Sequence, residues 1–177
     1  MLRAGIAKQN RTNIYLVGFM GVGKSTVGPL LAQKLGQAYF DSDREVARHM
    51  NMSVSKIFKK GGEKKFRALE SKAIRDLSKK KGAVISLGGG ALLRKKNQKI
   101  IRSTGRIIFL VAPLATLRGR ILRKKALRPL IATPVTFQKL RTLFETRKPG
   151  YEIADFKVST WRRRATHVAS EIARGLR

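Results

Sequence analysis

The chain has 177 residues, with 40 lysines and arginines against 10 acids, a net charge of +30, and 42% hydrophobic residues. That is one domain with enough apolar material for a core, which excludes an intrinsically disordered chain. The lack of cysteine excludes a disulfide framework, a thiolate nucleophile and a Cys-ligated zinc, and two distant histidines, His49 and His167, argue against a histidine metal cluster.

Residues 1–12 are basic and lack the apolar stretch of a secretion signal. They read as a flexible extension, with a trimmed organelle-targeting remnant as the alternative. No apolar run reaches the length of a membrane span. From Asn13 onward strand-like and helix-like segments alternate. Residues 14–17 form a short apolar strand ending in Gly18. Residues 24–35 carry helical spacing and stop at Gly36. A second short strand, 38–40, leads into Asp41. Helices follow at 43–50 and at 53–60, the latter with Ser53 as N-cap. A long basic helix spans 63–81, its apolar residues Phe66, Leu69, Ala73, Ile74 and Leu77 recurring at three and four. Strand 83–87 runs into Gly88, Gly89 and Gly90. Strand 106–111 is closed by Pro113. Helices at 114–122 and 135–146 flank a polar, proline-bearing stretch. A fifth strand at 156–159 and a helix at 166–176 complete the chain.

Strands alternating with helices predict an α/β fold with a parallel sheet covered on both faces. Ligands of such sheets sit beyond the carboxyl ends of the strands. Three distinctive segments directly follow strands: the glycine loop at 18–23, the pair Asp41 and Asp43, and the glycines at 88–90. They are expected to converge on one crevice.

The run from Gly18 to Thr26 fits G-x-x-x-x-G-K-[ST], after a strand and opening a helix. Glycines let the backbone wrap a phosphate with its N–H groups inward, and the helix N-terminus adds partial positive charge. Lys24 is placed to bridge the β- and γ-phosphates and Ser25 to hold Mg²⁺. The motif by itself predicts a nucleotide but names no acceptor.

Asp41 and Asp43 offer two carboxylates with separable tasks. One can hold a metal's water shell, and the other can accept the proton of an attacking hydroxyl. An acid at Asp43 also suits a helix start, and spacing does not decide between the two readings. The glycines at 88–90 permit close backbone approach to a ligand or simply a loose turn. Arg67 and Glu70, at i and i+3, form either an oriented guanidinium or an ordinary surface ion pair. Phe58 and Phe66 read as core residues on spacing alone.

Taken together, five ordered segments resemble the shikimate kinase family: GFMGVGKST at 18–26, DSD at 41–43, GEKKFR at 62–67, GGG at 88–90, and RPL at 128–130 with RKPGY at 147–151. The resemblance implies a P-loop NTPase-like three-layer sandwich with a five-stranded parallel sheet and helices on both faces. It implies a kinase domain over 13–177, a substrate-binding region at about 41–70 and a mobile lid at about 122–134. The implied reaction moves the γ-phosphate of ATP to the 3-hydroxyl of shikimate, toward chorismate and the aromatic amino acids, in a cytoplasmic monomer with Mg²⁺. By the same resemblance, Gly21, Val22, Gly23, Lys24, Ser25 and Thr26 would hold the ATP phosphates, and Asp41 would reach the metal through water. Asp43 would bind shikimate hydroxyls and serve as base. Arg67 and Arg147 would clamp the carboxylate, with Glu70 orienting Arg67. Gly88, Gly89 and Gly90 would contact the hydroxyls, Phe58 and Phe66 would wall the pocket, Arg128 would close on the lid, and Arg120 would stack on adenine.

Two alternatives accompany this reading. A related kinase of the same fold would act on another small acid such as gluconate, or on a nucleotide. The charge also points to polyanion or nucleic-acid association, with 79–81, 94–96, 123–125 and 162–164 as contact points.

Overall fold

The computed structural model describes residues 12–123 and 135–176. The expected lid, from residue 124 onward and including Arg128, lies outside the described residues, as does the 1–12 extension up to residue 11.

Five parallel strands form one sheet in the order β2-β3-β1-β4-β5. They are β1 (Asn13–Val17), β2 (Ala38–Asp41), β3 (Ala83–Ser86), β4 (Gly105–Val111) and β5 (Phe156–Ser159). The central strand β1 is buried along its whole length. Side chains alternate across the pleat, so its residues serve two cores. Ile14 and Leu16 join Val27, Leu31, Val168 and Ile172 on the face covered by α1 (Lys24–Leu35) and α7 (Ala165–Gly175). Tyr15 and Val17 join Ile74, Leu77 and Ile101 on the face covered by α3 (Val54–Ser78) and α4 (Lys95–Thr104). The expected three-layer sandwich is therefore present, with helices on both faces. A smaller cluster of Val46, Ile57, Phe66 and Ala73 forms where α2 (Ser42–His49) rests on α3.

Beyond shifts of a few residues at element ends, three helical regions differ from the periodicity reading. The segments at 53–60 and 63–81 are one element, α3, broken at Gly62 (φ 66°, ψ −175°), a conformation open to glycine. The helix expected at 135–146 is α6 (Phe137–Tyr151), which continues through Pro149. Its last turn carries Arg147 and Tyr151 into the core, and that burial outweighs the cost of a proline near the helix end. No periodicity marked α4, because its buried face is anchored by a polar residue. Asn97 is buried and its side-chain amide donates to the Ala91 carbonyl at 2.8 Å. Between β4 and α6, helix α5 (Leu114–Arg123) lies over the first glycine loop.

Candidate active site

A cavity of about 710 Å³ opens at the carboxyl ends of the strands. The loop after β1, the β2–α2 junction, α3 and the glycines after β3 all line it, together with Arg120 of α5 and Arg147 of α6. The three segments expected to converge do so.

The loop after β1 is built for an anion. Gly18, Gly21 and Gly23 hold φ of 141°, 80° and 110°, so the backbone turns where other residues would be strained. Helix α1 starts at Lys24 with no side-chain cap and no acid in its first turn. Its first amides and its dipole therefore face the cavity. The Lys24 ammonium donates to the carbonyls of Gly18 (2.7 Å) and Phe19 (3.3 Å), which folds the charge over the loop. Ser25 and Thr26 are exposed at the mouth.

The two aspartates divide their work. Asp41 ends β2 and caps α2, its Oδ1 accepting from the amides of Asp43 (3.0 Å) and Arg44 (3.2 Å). The capping role left open for Asp43 thus belongs to Asp41. Asp43 is the second residue of α2, its Oδ1 buried without a hydrogen-bond partner. Burial, together with the charges of Glu70 and Asp41, pushes its pKa up to about 7, against the pull of Lys24 and Arg67.

Arg67 and Glu70 form no surface pair. Glu70 is fully buried and its Oε2 accepts from Arg67 at 2.8 Å, while Glu63 accepts from the other edge of the guanidinium at 3.0 and 3.1 Å. Burial raises the Glu70 pKa above the usual carboxylate range, and Arg67 pulls it back. Removing one partner strands a buried charge, which costs several kcal/mol. Glu70→Ala is expected to lose about 3 kcal/mol of unfolding free energy in a denaturant titration, whereas Arg48→Ala, at an exposed pair, is expected to leave the midpoint unchanged.

Arg147 is 3% exposed, and among the described residues no carboxylate pairs with it. Its Nε has no hydrogen-bond partner. Burial lowers its pKa, the Tyr151 phenol opposes that, and Arg67 adds to it. An unpaired, buried guanidinium beside a second one is a receptor for a carboxylate.

The triple glycine is there for space, since none of the three holds a positive φ. A Cβ on Gly88 would lie 2.5 Å from both Asp43 Oδ1 and Glu70 Oε1. One on Gly89 would lie 2.7 Å from the Arg147 guanidinium, and one on Gly90 would strike that of Arg67. Backbone groups here are also partly spent. The Gly88 N–H donates to the Ser42 hydroxyl (3.0 Å), and the Gly88, Gly89 and Gly90 carbonyls accept from Ala91, Tyr151 and Leu93. Among the described residues this leaves the amides of Gly89 and Gly90 for a ligand.

Phe58 and Phe66 are both core and wall. Their rings meet at 4.6 Å between centroids, and both line the cavity. Arg120 ties the mouth together. Its guanidinium donates to the carbonyls of Gly21 (3.4 Å), Val22 (3.3 Å) and Thr160 (3.0 Å) and to the Thr160 hydroxyl (3.2 Å). Sequence reasoning missed Ser42, Tyr151 and Thr160. Each acts by positioning a neighbour; Ser42 and Tyr151 stood inside recognised segments, and Thr160 did not.

Comparison with known proteins agrees with this geometry. The family model for shikimate kinase matches residues 20–177. A shikimate kinase of Caldicellulosiruptor bescii is 42% identical over 148 residues, 84% of this chain and 86% of that one. The structure of the Acinetobacter baumannii shikimate kinase in complex with shikimate superposes with a TM-score of 0.89 at 36% identity, covering 94% of this chain and 93% of that one. A gluconokinase from Sinorhizobium meliloti superposes at a TM-score of 0.64 and 18% identity, over 94% of this chain and 92% of that one, a likeness of fold alone. With the nucleotide loop, the paired guanidiniums and the buried aspartate in one cavity, the chain belongs to the shikimate kinase family.

Proposed function

We propose that this chain transfers the γ-phosphate of ATP to the 3-hydroxyl of shikimate, giving shikimate 3-phosphate and ADP. The observation that carries it is the placement of Asp43, Arg67 and Arg147 around the triple glycine, in the cavity that also holds the phosphate loop. Shikimate offers a carboxylate and vicinal hydroxyls. Two guanidiniums suit the first, and a carboxylate with two open amides suits the second.

Phosphoryl transfer needs positioning and charge neutralisation more than covalent help. The loop amides and Lys24 receive the phosphates. Arg67, held between Glu63 and Glu70, and Arg147 fix the acceptor's carboxylate. Asp43 orients the attacking hydroxyl and takes its proton. Phe58 and Phe66 wall the ring from water. The residues present fit a hard divalent cation coordinated mainly by phosphate and water oxygens. Among the described residues no group of three or more His, Cys, Asp or Glu forms a protein cage. Ser25 would hold Mg²⁺ directly and Asp41 through water, Asp41 using only Oδ1 in its capping bonds. When bound, the metal neutralises charge on the triphosphate. Arg128, on the expected lid, would add a further cation there. We place the enzyme in the cytoplasm as a monomer; among the described residues no helix is long and apolar enough to cross a membrane.

Gluconate also carries a carboxylate and hydroxyls, so a substrate panel is the direct test. Coupled ADP release is expected to depend on shikimate, with gluconate and nucleoside monophosphates at least a hundredfold weaker in kcat/KM. ADP release indifferent to shikimate overturns the assignment. Arg120, held by its bonds to the first loop and Thr160, would stack its guanidinium on the adenine ring. Arg120→Ala is expected to raise KM for ATP about tenfold and leave KM for shikimate within twofold.

A further inference from the structure

One group of exposed cations stands at the pole opposite the active site. In a parallel sheet all strands start at one edge, and helices returning over the faces end there. Hydrogen bonds join the parts of that pole. The Asn13 side chain, at the start of β1, donates to the Ser78 carbonyl at the end of α3 (3.1 Å) and accepts from the Ala83 amide at the start of β3 (3.0 Å). Tyr15 and Thr104 join β1 to the end of α4 through their hydroxyls, 2.7 Å apart. Gly105, opening β4, lies in register with Asn13.

Around this junction Lys34, Lys79, Lys81, Arg102, Arg106 and Arg174 are all exposed. Two acids accompany them. Asp76 pairs with Lys79 at 3.7 Å, and Asp155 accepts from the Ile107 amide at 2.6 Å. No acid occurs anywhere between Asp76 and Glu145. Helix dipoles account for part of the pattern, since Lys34, Arg102 and Arg174 occupy last turns. They do not account for Lys81 and Arg106, which stand on strand approaches. Like charges gathered this closely repel and destabilise the fold unless an anion neutralises them.

We propose that this pole is a binding surface for the phosphodiester backbone of nucleic acid, RNA or DNA, without base specificity. Exposed point charges spread around the strand starts suit a phosphate chain. An anionic membrane is the other polyanion of this size, but interfacial binding calls for exposed apolar anchors beside the cations. Among the described residues the exposed large hydrophobics are Leu93, Leu122, Phe137 and Trp161. None of the four stands on the strand starts or the last turns of α1, α3, α4 or α7. The seven residues of β4 separate this pole from the mouth by roughly 20 Å, so the two ligands do not compete. This surface is independent of the kinase reading.

The test is fluorescence anisotropy with a labelled 20-nucleotide RNA, titrated with KCl. The wild type is expected to bind with a steep salt dependence. The combined variant Lys81→Glu, Arg102→Glu, Arg106→Glu is expected to bind at least tenfold more weakly, with the log–log salt slope flattened by about 2. Its shikimate kinase rate remains near wild type, and its melting temperature does not fall, since like-charge repulsion is relieved. A control variant with the same charge change, Arg141→Glu, Lys148→Glu, Lys157→Glu, is expected to lose less than threefold. Equal loss in both variants overturns the proposal, because binding then follows net charge and not this pole. Displacement of the RNA by saturating ATP and shikimate also overturns it. So does tighter capture by phosphatidylserine vesicles than by RNA at the same salt, which assigns the pole to lipid. A triple variant that unfolds is replaced by the single changes, read against the same control.

Discussion

Asp43→Asn is expected to lower kcat on the order of 10³-fold and, in the same protein, to raise the melting temperature at pH 8. The first effect follows from removing the acceptor for the hydroxyl proton while keeping size and hydrogen-bonding shape. The second follows from what Asp43 costs the fold. Its carboxyl is buried, Oδ1 has no partner, and its pKa stands at about 7 against an ordinary 3.8. The folded state therefore holds this proton more tightly than the unfolded chain. Between about pH 4 and pH 7 the unfolded state has released the proton and the folded state has not. Stability contributed by this group is present at low pH and is lost as pH rises through that window. Above pH 7 the full penalty, at most about 4 kcal/mol, has accrued. Asparagine carries no such penalty, so the stabilisation of Asp43→Asn grows from pH 5 to pH 8 in thermal melts of the ligand-free protein. An activity loss with no pH-dependent gain in stability would mean that Asp43 is a solvated hydrogen-bonding residue. Near-normal turnover would remove it as the base.

Gly90→Ala is expected to raise KM for shikimate about 100-fold while KM for ATP stays within threefold. The added Cβ would lie 2.6 Å from Arg67 Cζ and 2.8 Å from one of its terminal nitrogens. A flexible arginine would swing aside. Arg67 is held by Glu63 on one edge and by buried Glu70 on the other, so yielding means breaking that pair. A displacement of about 1 Å in a positioning group commonly costs 10² in rate or binding. Steady-state kinetics with each substrate varied, beside a thermal melt, separates this from unfolding. An equal loss for ATP would mean that the whole mouth has collapsed.

Both effects rest on burial, and burial is where sequence reading stopped. The glycine-lysine loop was legible because its geometry is local: a strand, a wrapped turn and a helix start are all written within residues 14–35. The alternation of strand and helix was legible for the same reason, and it fixed the edge of the sheet at which the distinctive segments meet. Helix α4 was not, because its buried Asn97 breaks the apolar period and makes sense only against the Ala91 carbonyl. The last turn of α6 was not, because it is held by Arg147 and Tyr151 packing inward against distant parts of the chain.

Spacing alone could not choose between cap and acceptor for the aspartates, or between surface pair and oriented guanidinium for Arg67 and Glu70. Those choices depend on which neighbours exclude water. Asp41 faces the first amides of α2 and becomes the cap, while Asp43 faces Glu70 across Gly88 and becomes a buried acid with a raised pKa. Residue types and their order were thus enough to name the loop, the sheet and the family. The protonation and orientation of the groups that meet the acceptor came from long-range packing, because desolvation is a property of the assembled cavity and of no single stretch of chain.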